Sequence, residues 1–204
     1  MDKKIDQRTA RAESYKRKVL ESAKELFIEH GFKETTIMMI ANNADIGYGT
    51  AYNHFPNGKD EILLMIMEEI MEDFHQVANN AYTVESKENA FIFIKKNIEN
   101  LISLVLFHKK LLVVLHEAIH FSELVREKWE DISQRLIVRI AINVEQAKAK
   151  NLARNPNYDP QIVAGVLFYV TENYLWNIAL DKTTKSNEII VRNITEMYTN
   201  GLYK

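Results

Sequence analysis

Two short stretches of this 204-residue chain set chemistry-bearing side chains at purposeful spacings. The first, His116-Glu-Ala-Ile-His120, matches HExxH. On a helix its two imidazoles share one face, and the glutamate between them could act as general base on a zinc-bound water. Zinc catalysis also needs a third protein ligand and an open water position. Glu127, Glu130 and Glu145 follow downstream, and nothing in the pattern singles one out. Two titratable groups lining a pocket, an adventitious metal site, or plainly satisfied histidines within a helical body fit the same residues. A zinc hydrolase is therefore carried as the alternative, and the expected catalytic residues, metal and cofactor are none.

The second stretch is Ile46-Gly-Tyr-Gly-Thr-Ala-Tyr-Asn-His-Phe55. Gly47 and Gly49 leave little bulk at the start of a short helix, so its backbone can approach a phosphate. Free N–H groups and the positive end of the helix dipole favour an anion there. Tyr48, Thr50, Tyr52, Asn53 and His54 crowd a turn and a half with hydrogen-bonding groups that a core helix would not need. Lys59 opens the next helix within reach of the same backbone.

The elements that would position these residues read almost entirely as helix. Six glycines and three prolines are too few for the regular turns of a typical all-β protein. With 26% charged and 47% hydrophobic residues the chain is globular, and without cysteine it holds no disulfide, thiol nucleophile or Cys-ligated metal. Val19, Ala23, Leu26, Phe27 and His30 recur at helical spacing, and Gly31 supplies a left-handed stop. Thr35 is expected to cap a helix from Thr36 to about Asn43, and four residues separate it from a third helix ending near Phe55. Pro56-Asn-Gly58 breaks the chain, and longer helices follow: Lys59 to about Ala81, Ser86 to Phe107, Lys109 to His120, and about 28 residues from Ser122. Asp159 caps a helix at about 160–180 with Pro160 in its first position. The last runs 186–202, with Gly201 as its stop. The fold class is thus all-α: a three-helix helix-turn-helix domain over 1–58 and a six-helix bundle over 59–204.

Charge is unevenly spread. Residues 1–18 carry seven bases (Lys3, Lys4, Arg8, Arg11, Lys16, Arg17, Lys18) against three acids, while 61–204 carry a small acidic excess. A basic end facing an anion, or simply a solvated tail, produces this pattern. The charged N-terminus is no signal peptide, and the apolar run Ile162–Val170 is too short for a bilayer, so a cytoplasmic protein without membrane contact is expected.

Residues 15–63 resemble the DNA-binding domain of the tetracycline-repressor (TetR) family. The matching stretches are Ala23-Lys-Glu-Leu-Phe-Ile-Glu-His-Gly-Phe32, Thr35-Thr-Ile-Met-Met-Ile-Ala41, Ile46 to Phe55, and Lys59-Asp-Glu-Ile-Leu63. The resemblance implies that Thr35, Tyr48, Tyr52, His54 and Lys59 contact phosphates, with Gly49, Thr50 and Asn53 close to base edges. Asp45 stands where the family usually has a turn glycine, and Asp tolerates left-handed geometry better than most residues. Gly47 replaces a usual Ser or Thr cap, at a cost of a few tenths of a kcal/mol. The rest of the chain shows only the all-helical, ligand-binding and dimerising layout that the family leads one to expect. A dimeric repressor of double-stranded operator DNA, released by a small-molecule effector, is the implied function.

In the bundle, Phe91, Phe93, Phe107, Phe121, Trp129, Phe168, Tyr169 and Trp176 are expected to build a core. A pocket among His116, His120, Trp129, Tyr169, Asn173 and Trp176 would give an apolar or aromatic effector a few polar anchors. Ile162, Val163, Val166, Leu167 and Val170 are apolar on too many sides for a surface helix. Ile162, Gly165 and Val166, with Ile190, Ile194 and Met197 of the final helix, are the expected homodimer interface.

Overall fold

A computed structural model describes residues 2–78 and 83–204, with side chains described from Ala12 onward in the first helix. The described residues form α1 (Asp2–Glu34), α2 (Ile37–Asn43), α3 (Tyr48–His54), α4 (Lys59–Ala78), α5 (Lys87–Phe107), α6 (Lys109–Phe121), α7 (Glu123–Ala149), α8 (Pro160–Ala179) and α9 (Asn187–Leu202). Among them the only extended pairing is a single bridge between Ala153 and Tyr203. No helix among the described residues is long and apolar enough to cross a membrane. The expected end of α4 at Ala81 lies outside the described residues, as do the side chains of Lys3, Lys4, Arg8 and Arg11.

Most caps fall where side-chain chemistry requires. Ser86, Asp159 and Ser186 accept backbone N–H groups of the first turns of α5, α8 and α9. Two expectations are corrected. The cap of α2 is Thr36, which accepts from Met39 N at 3.2 Å, because Thr35 turns inward. Gly201 lies inside the last turn of α9 rather than ending it; the helix stops at Tyr203, whose backbone is extended.

The chain forms two units: Met1–Met71 with Lys110–Lys128, and Glu72–Lys109 with Trp129–Lys204. That differs from a simple division after Gly58. The first three turns of α4, nearly all of α6 and the start of α7 belong with α1, α2 and α3. The first unit buries Val19, Ala23 and Phe27 of α1, Ile40 and Ala41 of α2, Ala51 and Phe55, and Ile62, Leu63, Ile66 and Met67 of α4. Leu112, Leu115 and Ala118 of α6 are also buried.

The second unit has an aliphatic core. Ile94, Ile98 and Ile102 of α5, Ile178 of α8, and Ile190, Val191 and Ile194 of α9 are buried. Ile137, Ala141 and Ala164 form a further cluster against Ile140 and Phe168. The aromatic residues expected to fill the core stay outside it: Phe107 is 80% exposed, Phe121 60% and Tyr169 52%. Phe91, Phe93, Trp129, Phe168 and Trp176 are half-buried. β-Branched and small side chains fill most of the space between the helices, leaving these rings at its margins, while Tyr203 is buried.

Candidate nucleic-acid interface

The turn between α2 and α3 is closed by backbone bonds from Asp45 N to Asn42 O (3.2 Å) and from Ile46 N to Ala41 O (3.0 Å). Asp45 is left-handed at φ 53°, as its short polar side chain allows. Gly47 then caps α3 through its carbonyl alone, without a side-chain bond. Ala51 is the residue of α3 that is fully buried, so the helix packs on one narrow edge and turns the rest outward.

That outward face carries Tyr48, Gly49, Tyr52 and Asn53, all exposed, with Thr50 and His54 half-buried at its sides. A Cβ added at Gly49 would meet nothing within 4 Å, so the glycine leaves an open step in the face. The rings of Tyr48 and Tyr52 pack edge-to-face with centroids 4.8 Å apart. A hydrogen bond with Tyr52 raises the Tyr48 hydroxyl above its ordinary pKa, so the two phenols present themselves as one unit. On α2, Met38 is also exposed. Lys16, Arg17 and Lys18 of α1 are exposed as well.

Two residues expected on this face are elsewhere. The Thr35 side chain is fully buried; its hydroxyl lies 2.7 Å from Gly31 O and 3.2 Å from Leu26 O, and donates to this pair of carbonyls. Lys59 spends its three N–H groups on Phe32 O (2.7 Å), Thr35 O (2.9 Å) and Lys33 O (3.0 Å), leaving none for a phosphate. Its ammonium also lies 4.4 Å from the centre of the Phe32 ring. Burial lowers its pKa, against the opposing pull of Asp60, Glu117 and Glu34. Both residues serve the elbow between α1 and α2.

The same elbow takes up the central glutamate of the HExxH stretch. Glu117 accepts from Phe32 N at 2.8 Å and from Lys33 N at 3.2 Å, joining residues more than eighty positions apart. Gly31 makes the approach possible. Its φ of 80° and ψ of 168° suit glycine almost alone, and a Cβ there would lie 2.9 Å from the carboxylate. The carboxylate and the ammonium thus together hold the backbone of residues 32–35. His120 engages its own helix through Nδ1 and His116 O at 2.8 Å. No group of three His, Cys, Asp or Glu able to hold a metal occurs among the described residues. A glutamate committed to two backbone amides is not poised as a general base, so the zinc-hydrolase alternative lacks support.

The expected effector residues divide between the units: His116 and His120 belong to the first, and Trp129, Tyr169, Asn173 and Trp176 to the second. In the second unit Trp129 and Trp176 stack obliquely, with centroids 5.2 Å apart and planes at 57°. Trp129 Nε1–H donates to Glu172 Oε1 at 2.8 Å. Burial pushes the Glu172 carboxyl above its ordinary pKa, and hydrogen bonds from both indoles pull it back in part. The sequence reading missed Glu172, although a charge closing the apolar run 162–170, four residues before Trp176, was a visible signal.

The expected dimer residues also divide. Ile190 and Ile194 are buried within the subunit and are unavailable to a partner. Ile162, Val166 and Met197 are 69%, 58% and 76% exposed, joined by Tyr169 and Val170 on α8 and Ile189 on α9. Gly165 is half-buried, with the Tyr169 ring 3.7 Å from where a Cβ would stand.

A short helix held across a tight turn, its polar face outward and a third helix beneath, defines a helix-turn-helix protein. The family model for bacterial regulatory proteins of the tetR family matches residues 19–66. Residues 19–66 are thus similar to the DNA-binding region of bacterial regulatory proteins of the tetR family. The chain is similar to the HTH-type transcriptional regulator YhgD of Bacillus subtilis (strain 168), with 35% identity over 66 residues. That match covers 32% of this chain and spans about a third (34%) of the length of YhgD. A TetR-family transcriptional regulator structure from Syntrophomonas wolfei str. Goettingen superposes with a TM-score of 0.72, at 19% identity, covering 92% of this chain and 94% of the other. A complex of SmeT with triclosan gives 0.70, at 18% identity, over 94% and 92% of the two chains. These structures share the fold.

Proposed function

We propose that the chain is a dimeric transcriptional repressor that reads a palindromic operator through α3 and releases it on binding a small molecule in the second unit. The observation that carries the reading is the outward face of α3. Tyr48, Tyr52 and Asn53 project around the open step at Gly49, on the second helix of a helix-turn-helix that lies within the region matching the family model. A major groove admits one α-helix, and an asparagine can bond an adenine edge bidentately. The phenols and the exposed bases of α1 supply phosphate contacts, which position without reading sequence.

The exposed apolar face of α8, with Ile189 and Met197 on α9, supports pairing with a second copy. Two-fold pairing sets recognition helices on successive major grooves, about 34–36 Å apart. Effector control is supported by the Trp129–Trp176 cluster and by the related fold of SmeT, which was solved with triclosan. A ligand acts by preferring the state that does not bind DNA; about 5.5 kcal/mol of preference moves a 1:99 equilibrium to 99:1. The clamp at residues 32–35 gives α6 a direct hold on the reading helices, so displacement of α6 would be felt at the elbow.

Selection of bound duplexes from a random pool tests the proposal. A palindromic consensus bound by a dimer, with affinity falling steeply as salt rises, is expected. Enrichment of no sequence would defeat it. With the selected duplex, Asn53→Ala should cost about 1–3 kcal/mol of discrimination at one base pair in each half-site.

A further inference from the structure

Within the second unit, Glu172 is a half-buried carboxylate that accepts hydrogen bonds from two uncharged indoles, Trp129 and Trp176. A carboxylate offers about four acceptor positions, of which the two indole N–H groups use two. The two ring systems stand 5.2 Å apart at 57°, so one indole of α7 and one of α8 adjoin the carboxylate. Both tryptophans remain partly exposed, so solutes can reach the cluster.

The physical chemistry discriminates sharply among occupants. A neutral apolar molecule covering this site would strip remaining water from a carboxylate and give it nothing in return. An anion would meet like charge. A cation gains an ion pair with Glu172 and attraction to indole faces, the ring type that attracts cations most strongly.

We propose that Trp129, Glu172 and Trp176 form the anchoring subsite for an organic ammonium cation, so that the effector carries positive charge. This deepens the ligand-responsive reading above and rests on it. It replaces a purely apolar or aromatic effector with an amine or quaternary ammonium bearing an apolar group.

The chain has two tryptophans, and both lie in this cluster, so intrinsic fluorescence reports on the subsite directly. Benzyltrimethylammonium titrated into the full chain should change tryptophan emission saturably. Benzyl alcohol and phenylacetate should do so at least tenfold more weakly. In Glu172→Gln, which keeps an acceptor for the indole N–H groups but removes the charge, affinity for the cation should fall at least tenfold. Trp176→Phe keeps a ring and loses one donor, and a loss of about threefold is expected there; it serves as the working variant should Glu172→Gln melt differently from the parent. No saturable response, an equal response to benzyl alcohol, or cation affinity indifferent to both substitutions would overturn the proposal. A chain that selects no DNA would sink the regulator reading while leaving the cation result to stand by itself.

Discussion

Glu117 in the first unit and Glu172 in the second are both half-buried carboxylates on long helices, each approached by two N–H donors. Their surroundings differ in kind. Glu117 meets backbone amides that would otherwise go unsatisfied at a chain reversal, and Lys59 sits close enough for its pKa to feel the charge. Glu172 meets side-chain indoles, and burial dominates its protonation. A carboxylate that completes backbone hydrogen bonding beside a cation is structural. One held by neutral donors keeps unspent electrostatic attraction, which is what a ligand site requires.

The largest expected effect lies at the balancing cation. Lys59→Met strips a donor from three carbonyls, and thermal or denaturant unfolding should register a loss of about 3 kcal/mol. Glu117→Ala orphans the Phe32 and Lys33 amides and should cost about 2 kcal/mol, with a weaker grip on DNA. Equal stability in both variants would erase the contrast between the sites. Gly31→Ala should cost about 1–3 kcal/mol, because its backbone region excludes side chains and the new methyl would push Glu117 aside.

Glu172→Gln should have the smallest effect, and its sign should depend on pH. The folded carboxyl binds its proton more tightly than the ordinary value of 4.5, so its contribution is most favourable below that pH and is lost as pH rises through the folded value. The melting temperature of Glu172→Gln relative to the parent should therefore climb between pH 4 and pH 7. A difference that stays flat, or falls, would contradict the assigned cause.

The helices were legible because caps and periodicity act locally: Ser86, Asp159, Ser186 and Asp45 do their work within three residues. The outward polar face of α3 was legible for the same reason, since five polar side chains in seven residues have no use in a core. Thr35 and Lys59 were misassigned because their partners are carbonyls of α1 and its elbow, a pairing that no spacing rule announces. Glu117 was noticed for a spacing that suggested metal chemistry, while its partners lay eighty-odd residues upstream. Ile190 and Ile194 share an apolar stripe with Met197, and only packing decides which of them faces the subunit's own core.

Because residues 110–128 are built into the same unit as residues 1–71, the chain passes between the two units three times: inside α4, at the start of α6, and inside α7. The reading head is therefore not a detachable cartridge. A graft cut after Gly58 would leave behind α6, the carboxylate that ties the elbow and the lysine that caps it. Exchange of DNA specificity between this chain and a relative should succeed by resurfacing α3 in place, and fail by swapping N-terminal segments.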